Sequence, residues 1–208
     1  MKMISKILIP VLALALISFS CSETKTKPVV KGISSSQDDN IESAENKESK
    51  IHWVSFEEVQ VLMKESPKKI IVDVYTDWCG PCKLMMKNTF TNPKIIEYIN
   101  ENYYAVKWNA ECADTLRFNG KTYTNPGYNP NRKGRNSTHD LTKAIAAVNG
   151  RLAYPTTLYI DEEWNFITGI QGYLEPKKIE PILHFIHTKE YAKGTDYATY
   201  LSTFQSTL

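Results

Sequence analysis

The chain reads as an α/β domain, a β-sheet with helices on both faces. Three observations predict it. Short β-branched runs such as Ile70-Ile71-Val72 alternate with segments whose apolar residues recur at helical spacing. The first six elements fall in the order βαβααβ, the pattern of strands joined by crossover helices. A later pair of apolar runs, Tyr154 to Ile160 and Phe166 to Ile170, is joined by a short polar turn and reads as an antiparallel hairpin.

Two segments precede the domain. Residues 1–20 read as a secretory signal: Lys2 and Lys6 form a basic start, and Ile7 to Phe19 form an apolar stretch too short to span a bilayer. Ser20 then leads into Cys21. A small residue before a cysteine at this point resembles a bacterial lipoprotein signal, in which the cysteine becomes the lipidated N-terminus. Ser18 stands where that signal usually has an aliphatic residue. Residues 21–50 are rich in Ser, Glu, Lys, Asp and Asn and poor in apolar side chains. They cannot bury enough surface to offset their ordering entropy, so a flexible tether is expected, spanning on the order of 30 Å.

The folded part is expected to begin at Ile51. Ile51 to Val54 suits a first strand. Ser55 with Glu58 three residues on is a capping box, and Phe56, Val59 and Met63 mark the buried face of the helix it opens. Ser66-Pro67 ends that helix. Ile70 to Tyr75 reads as a buried strand carrying one acid, Asp73. A short helix follows from Pro81 to Lys87. Asn92-Pro93 caps the next, whose face is Ile95, Ile96 and Ile99. Tyr104 to Asn109 is the next strand.

Residues 110–138 break the pattern. Asn119-Gly120 signals a two-residue hairpin flanked by Leu116, Phe118 and Tyr123. Turn formers from Asn125 to Asn131 and a basic run, Arg132 to Arg135, complete what reads as a surface insertion. The basic run is expected to be solvated, or else to help dock a partner. Asn136-Ser137-Thr138 matches a glycosylation acceptor, which a bacterial signal makes a chance match. Asp140 to Val148 suits a short helix ended by Asn149-Gly150. After the late hairpin a helix is expected from Pro176 to His187, kinked or started late by Pro181. Residues 188–208 form a last helical extension with Tyr197, Tyr200, Leu201 and Phe204 on one face.

Composition excludes little. The 25 basic residues exceed the 23 acidic by two. Lys2 and Lys6, in the expected signal, account for that excess. The exported chain is formally neutral, with nothing to suggest nucleic-acid binding.

The chemistry concentrates in Trp78-Cys79-Gly80-Pro81-Cys82-Lys83. Two thiols sit where a strand ends and a helix begins. A helix N-terminus presents unpaired N–H groups and positive potential, which stabilise a thiolate. Cys79 is expected to be the more exposed sulfur, with Cys82 a turn inside the helix. Pro81 fits the first helical turn, and Gly80 leaves the backbone open to a partner. A CxxC can also be half of a zinc site. The only cysteine after residue 82 is Cys112, and His139 could complete a ligand set only by coincidence of folding, so no metal is expected. A structural disulfide is not expected either, since so small a ring restrains little chain entropy.

This hexapeptide, preceded by a strand carrying Asp73, resembles the active site of the thioredoxin superfamily. Tyr154-Pro155-Thr156, at the head of the later hairpin, is similar to that family's cis-proline signature. The resemblance covers residues 51–187 and implies a thioredoxin fold, a central mixed sheet flanked by helices. It implies Cys79 as attacking thiol and Cys82 as resolving thiol. Asp73 would be the buried acid behind Cys82, and Lys107 the lysine that pairs with it. Trp78, Gly80, Pro81, Tyr154, Pro155 and Thr156 would form the surface that meets substrate. No cofactor beyond the redox-active Cys79-Cys82 pair is implied.

The implied function is a thiol-disulfide oxidoreductase of the bacterial cell envelope, lipid-anchored and facing the periplasm, that reduces disulfides of exported proteins. Its electron donor would be a membrane thiol-disulfide reductase. Thr89-Phe90-Thr91-Asn92-Pro93 is also similar to the thioredoxin-like domains of such reductases, which lack the 110–138 insertion. Disulfide isomerisation or oxidation is an alternative, as is a non-catalytic interaction module. Cys112 has no role in this reading beyond an idle thiol, or a resolving or regulatory one.

Overall fold

The computed structural model describes residues 50–208. The expected signal, Cys21 and nearly all of the expected tether lie outside the described residues. Among the described residues, no helix is long and apolar enough to cross a membrane.

A five-stranded mixed sheet has the order β1-β3-β2-β6-β7. The central strand β2 (Lys69–Tyr75) runs parallel to β3 (Tyr103–Asn109) and antiparallel to β6 (Thr156–Ile160). Strand β1 (Trp53–Val54) lines the far side of β3, and β7 (Phe166–Gln171) forms the other edge. Strand β2 is apolar almost throughout because both of its faces are covered. Its buried Lys69 is matched by Glu162, 2.7 Å from the ammonium.

Each face has its own core. On one, α1 (Phe56–Glu65) packs Phe56, Val59 and Met63 against Ile70, Val72 and Val74 of β2. Its start is the expected capping box: the Ser55 hydroxyl accepts from the Glu58 amide at 3.1 Å, and the Glu58 carboxylate accepts from the Ser55 amide at 2.7 Å. On the other face, α2 (Gly80–Asn88), α3 (Pro93–Asn102) and α5 (Pro176–His187) bury Met85, Ile95, Ile99, Ile179 and Leu183 against Ile71 and Tyr159. Side chains alternate along a strand, so Asp73 shares the face of Ile71 and lies on the side of α2.

The insertion is more than a surface appendage. Its hairpin, β4 (Leu116–Phe118) and β5 (Lys121–Tyr123), turns through Asn119 and Gly120 at φ 48° and 75°, the left-handed pair that a two-residue turn requires. Leu116 is fully buried, and the Phe118 ring meets Phe56 edge-on at 5.2 Å. Gln60 of α1 donates to the Arg117 carbonyl at 3.1 Å. The hairpin therefore roofs the α1 core, where its alternating apolar residues find cover. Beyond it, the buried Asn125 amide donates to the carbonyls of Cys112 (2.9 Å) and Ser137 (2.7 Å), tying the two ends of the loop. Gly127 approaches Ser137 so closely that a Cβ would lie 2.6 Å from the hydroxyl.

Three other expectations are corrected. Helix α4 is shorter than expected, Asp140–Ile145, and Asn149-Gly150 is the turn of a small β-bridge between Val148 and Arg151 rather than a helix stop. Helix α5 starts at Pro176 as expected, so Pro181 lies inside it without delaying its start. The C-terminal segment is a 3-10 turn, Glu190–Lys193, then α6 (Tyr197–Thr203), separated at Gly194, whose φ of 77° is left-handed. Tyr197 and Tyr200 pack edge-on against Phe185 of α5 at 5.2 and 5.1 Å. The buried Glu180 accepts from the Ser206 hydroxyl and from the Thr207 amide and hydroxyl, fastening the end of the chain.

Candidate active site

Helix α2 begins at the dithiol. Cys79 is its N-cap, and its sulfur accepts from the Cys82 amide at 3.2 Å. Pro81 occupies the first turn, where its missing N–H leaves no bond unmade. No acidic side chain stands in that turn to oppose the positive helix end. The pair is closed as a disulfide, S–S 2.07 Å with the Cα atoms 5.3 Å apart. Both cysteines are buried as residues in this closed form. A Cβ on Gly80 would meet nothing within 4 Å, so the backbone between the sulfurs faces open space.

The Tyr154–Pro155 peptide bond is cis. Pro155 is buried, and its carbonyl accepts from the Gly172 amide at 2.8 Å. Tyr154 is half-buried and meets Trp78 edge-on, ring centroids 5.9 Å apart. The Thr156 side chain is fully buried with the hydroxyl on the Ala153 carbonyl at 2.6 Å, and the residue stands in register with Val74 on one side and Gln171 on the other.

Asp73 is buried on β2 between two cross-strand neighbours, Lys107 on β3 and Thr157 on β6. Neither of its carboxyl oxygens has a hydrogen-bond partner, nor does the Thr157 hydroxyl. Burial pushes the Asp73 carboxyl up from the usual 3.8 to about 6, against a partial pull from the Lys107 charge. The expected Asp73–Lys107 ion pair is not formed. Lys107 places its ammonium over the Tyr75 ring, 4.7 Å from the centroid. A desolvated carboxyl beside a distant cation gives up its proton near neutrality, as proton exchange with a thiol requires.

The insertion reaches the site through Trp78, which the sequence did not suggest. The Trp78 indole N–H donates to a Glu111 carboxylate oxygen at 2.9 Å, and the same oxygen accepts from the Asn136 amide at 2.7 Å. The Arg135 guanidinium lies over the indole, 4.3 Å from its centroid. Glu111, Asn136 and Arg135 thus fix the aromatic wall beside Cys79. Apart from the basic character of residues 132–135, no motif marked them, because the contact joins segments that only the folded insertion brings together.

Two clefts flank the dithiol. One, about 540 Å³, is lined by Tyr75, Thr76, Cys82, Met86 and the lysines 83, 87 and 107. The other, about 640 Å³, lies between Trp78 and the insertion, with Glu111, Cys112, Asp114 and Arg132 in its wall. Burial pushes the half-buried Cys112 thiol up to about 11, so it is a poor nucleophile. His139 is fully buried and structural: Nδ1 accepts from the Leu141 amide at 3.0 Å, which leaves Nε2 to donate to the Asp114 carbonyl at 2.9 Å. No group of residues that could hold a metal is found among the described residues.

A family model described as a thioredoxin-like domain matches residues 56–187. The chain belongs to the thioredoxin-like family. Among solved structures, it is similar to a thioredoxin from Thermus thermophilus, at 12% identity over 70% of this chain and 94% of that one, TM-score 0.49. It is similar to a thioredoxin-fold protein from Helicobacter pylori, at 15% identity over 72% and 86%, TM-score 0.48. It is also similar to the reduced DsbD C-terminal domain of Neisseria meningitidis, at 15% identity over 64% and 98%, TM-score 0.41. At these values the likenesses carry nothing about activity. No curated protein sequence matches the chain. A thioredoxin-like fold with the Cys79-Cys82 pair at disulfide distance suggests a thiol-disulfide oxidoreductase.

Proposed function

We propose that this thioredoxin-like chain reduces disulfides of exported proteins through its Cys79/Cys82 dithiol. One observation carries the reading: the pair caps α2 while a buried acid without a hydrogen-bond partner, Asp73, lies on the same side of the sheet. In the reduced protein the Cys79 thiolate attacks one sulfur of a partner disulfide. That disulfide breaks, its other sulfur leaves as a thiolate and takes a proton, and a mixed disulfide joins Cys79 to the partner. The Cys82 thiol gives its proton to Asp73 and attacks the Cys79 sulfur, releasing the second partner thiolate. Two electrons pass to the partner, and the Cys79–Cys82 disulfide is left behind.

Trp78, Gly80, Pro81, Tyr154 and Pro155 form the surface that receives the partner, and Lys107 tunes Asp73 from a distance. The dithiol is the only redox group the reaction needs; a membrane thiol-disulfide reductase restores it. The N-terminal sequence supports placement in the bacterial cell envelope, with Cys21 lipidated and residues 21–50 holding the domain off the membrane.

The test is a stoichiometric transfer. The pre-reduced chain, mixed with a peptide disulfide, is expected to lose two thiols per disulfide reduced, and Cys79→Ser is expected to abolish the transfer. Absence of any cysteine-dependent reduction would instead favour a non-catalytic interaction module.

A further inference from the structure

We propose that the rim around Cys79–Cys82 is a docking surface for an acidic, extended segment of the partner protein. The proposal rests on the reductase reading above and names the substrate class it serves.

Several lysines of the molecule are matched by acids: Lys69 with Glu162, Lys94 with Glu97, Lys143 with Asp140, Lys193 with Glu190. The cations that gather around the dithiol are not. Lys83, Lys87 and Lys107 line the cleft beside Cys82. Arg132 lines the cleft on the Trp78 side, and Arg135 covers Trp78 itself. Among the described residues none of these five cations is in an ion pair.

Two acids of the same clefts have hydrogen-bond partners within the domain. The Asp77 carboxylate accepts from the Asn109 amide at 3.0 Å. Glu111 accepts from Trp78 and Asn136. Hydrogen bonds from neutral donors leave these carboxylates charged, but the five cations outnumber the three acids Asp77, Glu111 and Asp114 of the two clefts.

That pattern is made for a counter-charge from outside. Exposed cations around a reactive group raise the encounter rate with an anionic partner and disfavour a cationic one. An acidic residue before the partner's cysteine would meet Arg135 over Trp78, and one after it would meet Lys83 and Lys87 along α2. The open backbone at Gly80 lets an extended chain lie between them. Since the exported chain as a whole is formally neutral, the attraction is local to this face and screened over about 10 Å at 0.1 M salt.

The experiment compares three synthetic peptides that carry the same intramolecular disulfide flanked by Asp/Glu, by Ser or by Lys. Each is reduced by the pre-reduced full chain, by a Lys83→Glu/Arg135→Glu variant and by a Lys83→Gln/Arg135→Gln variant. The expected result is that the acidic peptide reacts about tenfold faster than the basic one at low salt. The ratio narrows toward one at high salt, is intermediate in the Gln variant, and inverts in the Glu variant. Equal rates for the three peptides, or a ratio that neither variant moves, would overturn the proposal while leaving the reductase reading standing. If no peptide is reduced in a Cys79-dependent way, the reductase reading falls, and this proposal with it.

Discussion

Asp73 and Lys107 stand opposite each other on adjacent parallel strands without forming an ion pair. The Lys107 ammonium sits over Tyr75, and both Asp73 oxygens lack hydrogen-bond partners. A salt-bridged acid would be held ionised. This one is desolvated and carries its proton up to about pH 6, so the fold maintains a buried proton acceptor on the side of the sheet that α2 covers.

That arrangement sets a pH dependence of stability. The native carboxyl binds its proton more tightly than the unfolded one, whose value is 3.8. Below that value both states are protonated and Asp73 imposes no penalty. As pH rises from about 4 to about 6, the unfolded state loses its proton first and stability falls, and above pH 6 the full penalty is present. Asp73→Asn is therefore expected to stabilise the protein at pH 7 by on the order of 2 kcal/mol and to change stability little at pH 3. Denaturant titrations at the two pH values check this, and equal effects at both would contradict it.

The same substitution is expected to slow the second chemical step. Release of partner from the Cys79 mixed disulfide should lose its dependence on a group titrating near pH 6 in Asp73→Asn, while formation of the mixed disulfide is less affected. Single-turnover quenching of both phases across pH 5–8 distinguishes the two steps.

The hairpin of the insertion belongs to the core. Leu116→Ala removes a fully buried side chain packed beneath α1 and is expected to cost about 2–5 kcal/mol. A hairpin that merely decorated the surface would tolerate the change within about 0.5 kcal/mol, and thermal unfolding separates the two cases.

Glu111→Ala leaves the Trp78 indole and the Asn136 amide without their shared acceptor. A loss of about 1–3 kcal/mol is expected. Hydrogen exchange should quicken at Asn136 and at the Trp78 indole N–H before it quickens in β2. Unchanged exchange at both would show that the insertion is held without this contact.

Cys112 is expected to be a spectator. With its thiol pushed up to about 11, it should alkylate slowly at pH 8, and Cys112→Ala should leave the potential of the Cys79–Cys82 pair where it is. A shifted potential would make it a regulatory thiol after all.

How much could be read in advance varied with the kind of contact. The capping box at Ser55, the Asn92-Pro93 start and the Asn119-Gly120 turn were legible because each is made by residues adjacent in sequence. The dithiol at a strand-to-helix junction was legible for the same reason. Lys107 was placed on the correct strand but paired with the wrong group, since register brings it opposite Asp73 while its side chain turns to Tyr75. The wall formed by Glu111, Arg135 and Asn136 could not be read, because it depends on how an irregular insertion folds back over Trp78.

The most direct test is to trap the reaction half-way in Cys82→Ser expressed with its native N-terminus. Without the resolving thiol, mixed disulfides should accumulate on Cys79 with exported proteins, release on reduction, and be absent from the Cys79→Ser/Cys82→Ser double variant. Recovery of no adducts, or of the same adducts from the double variant, would contradict the account.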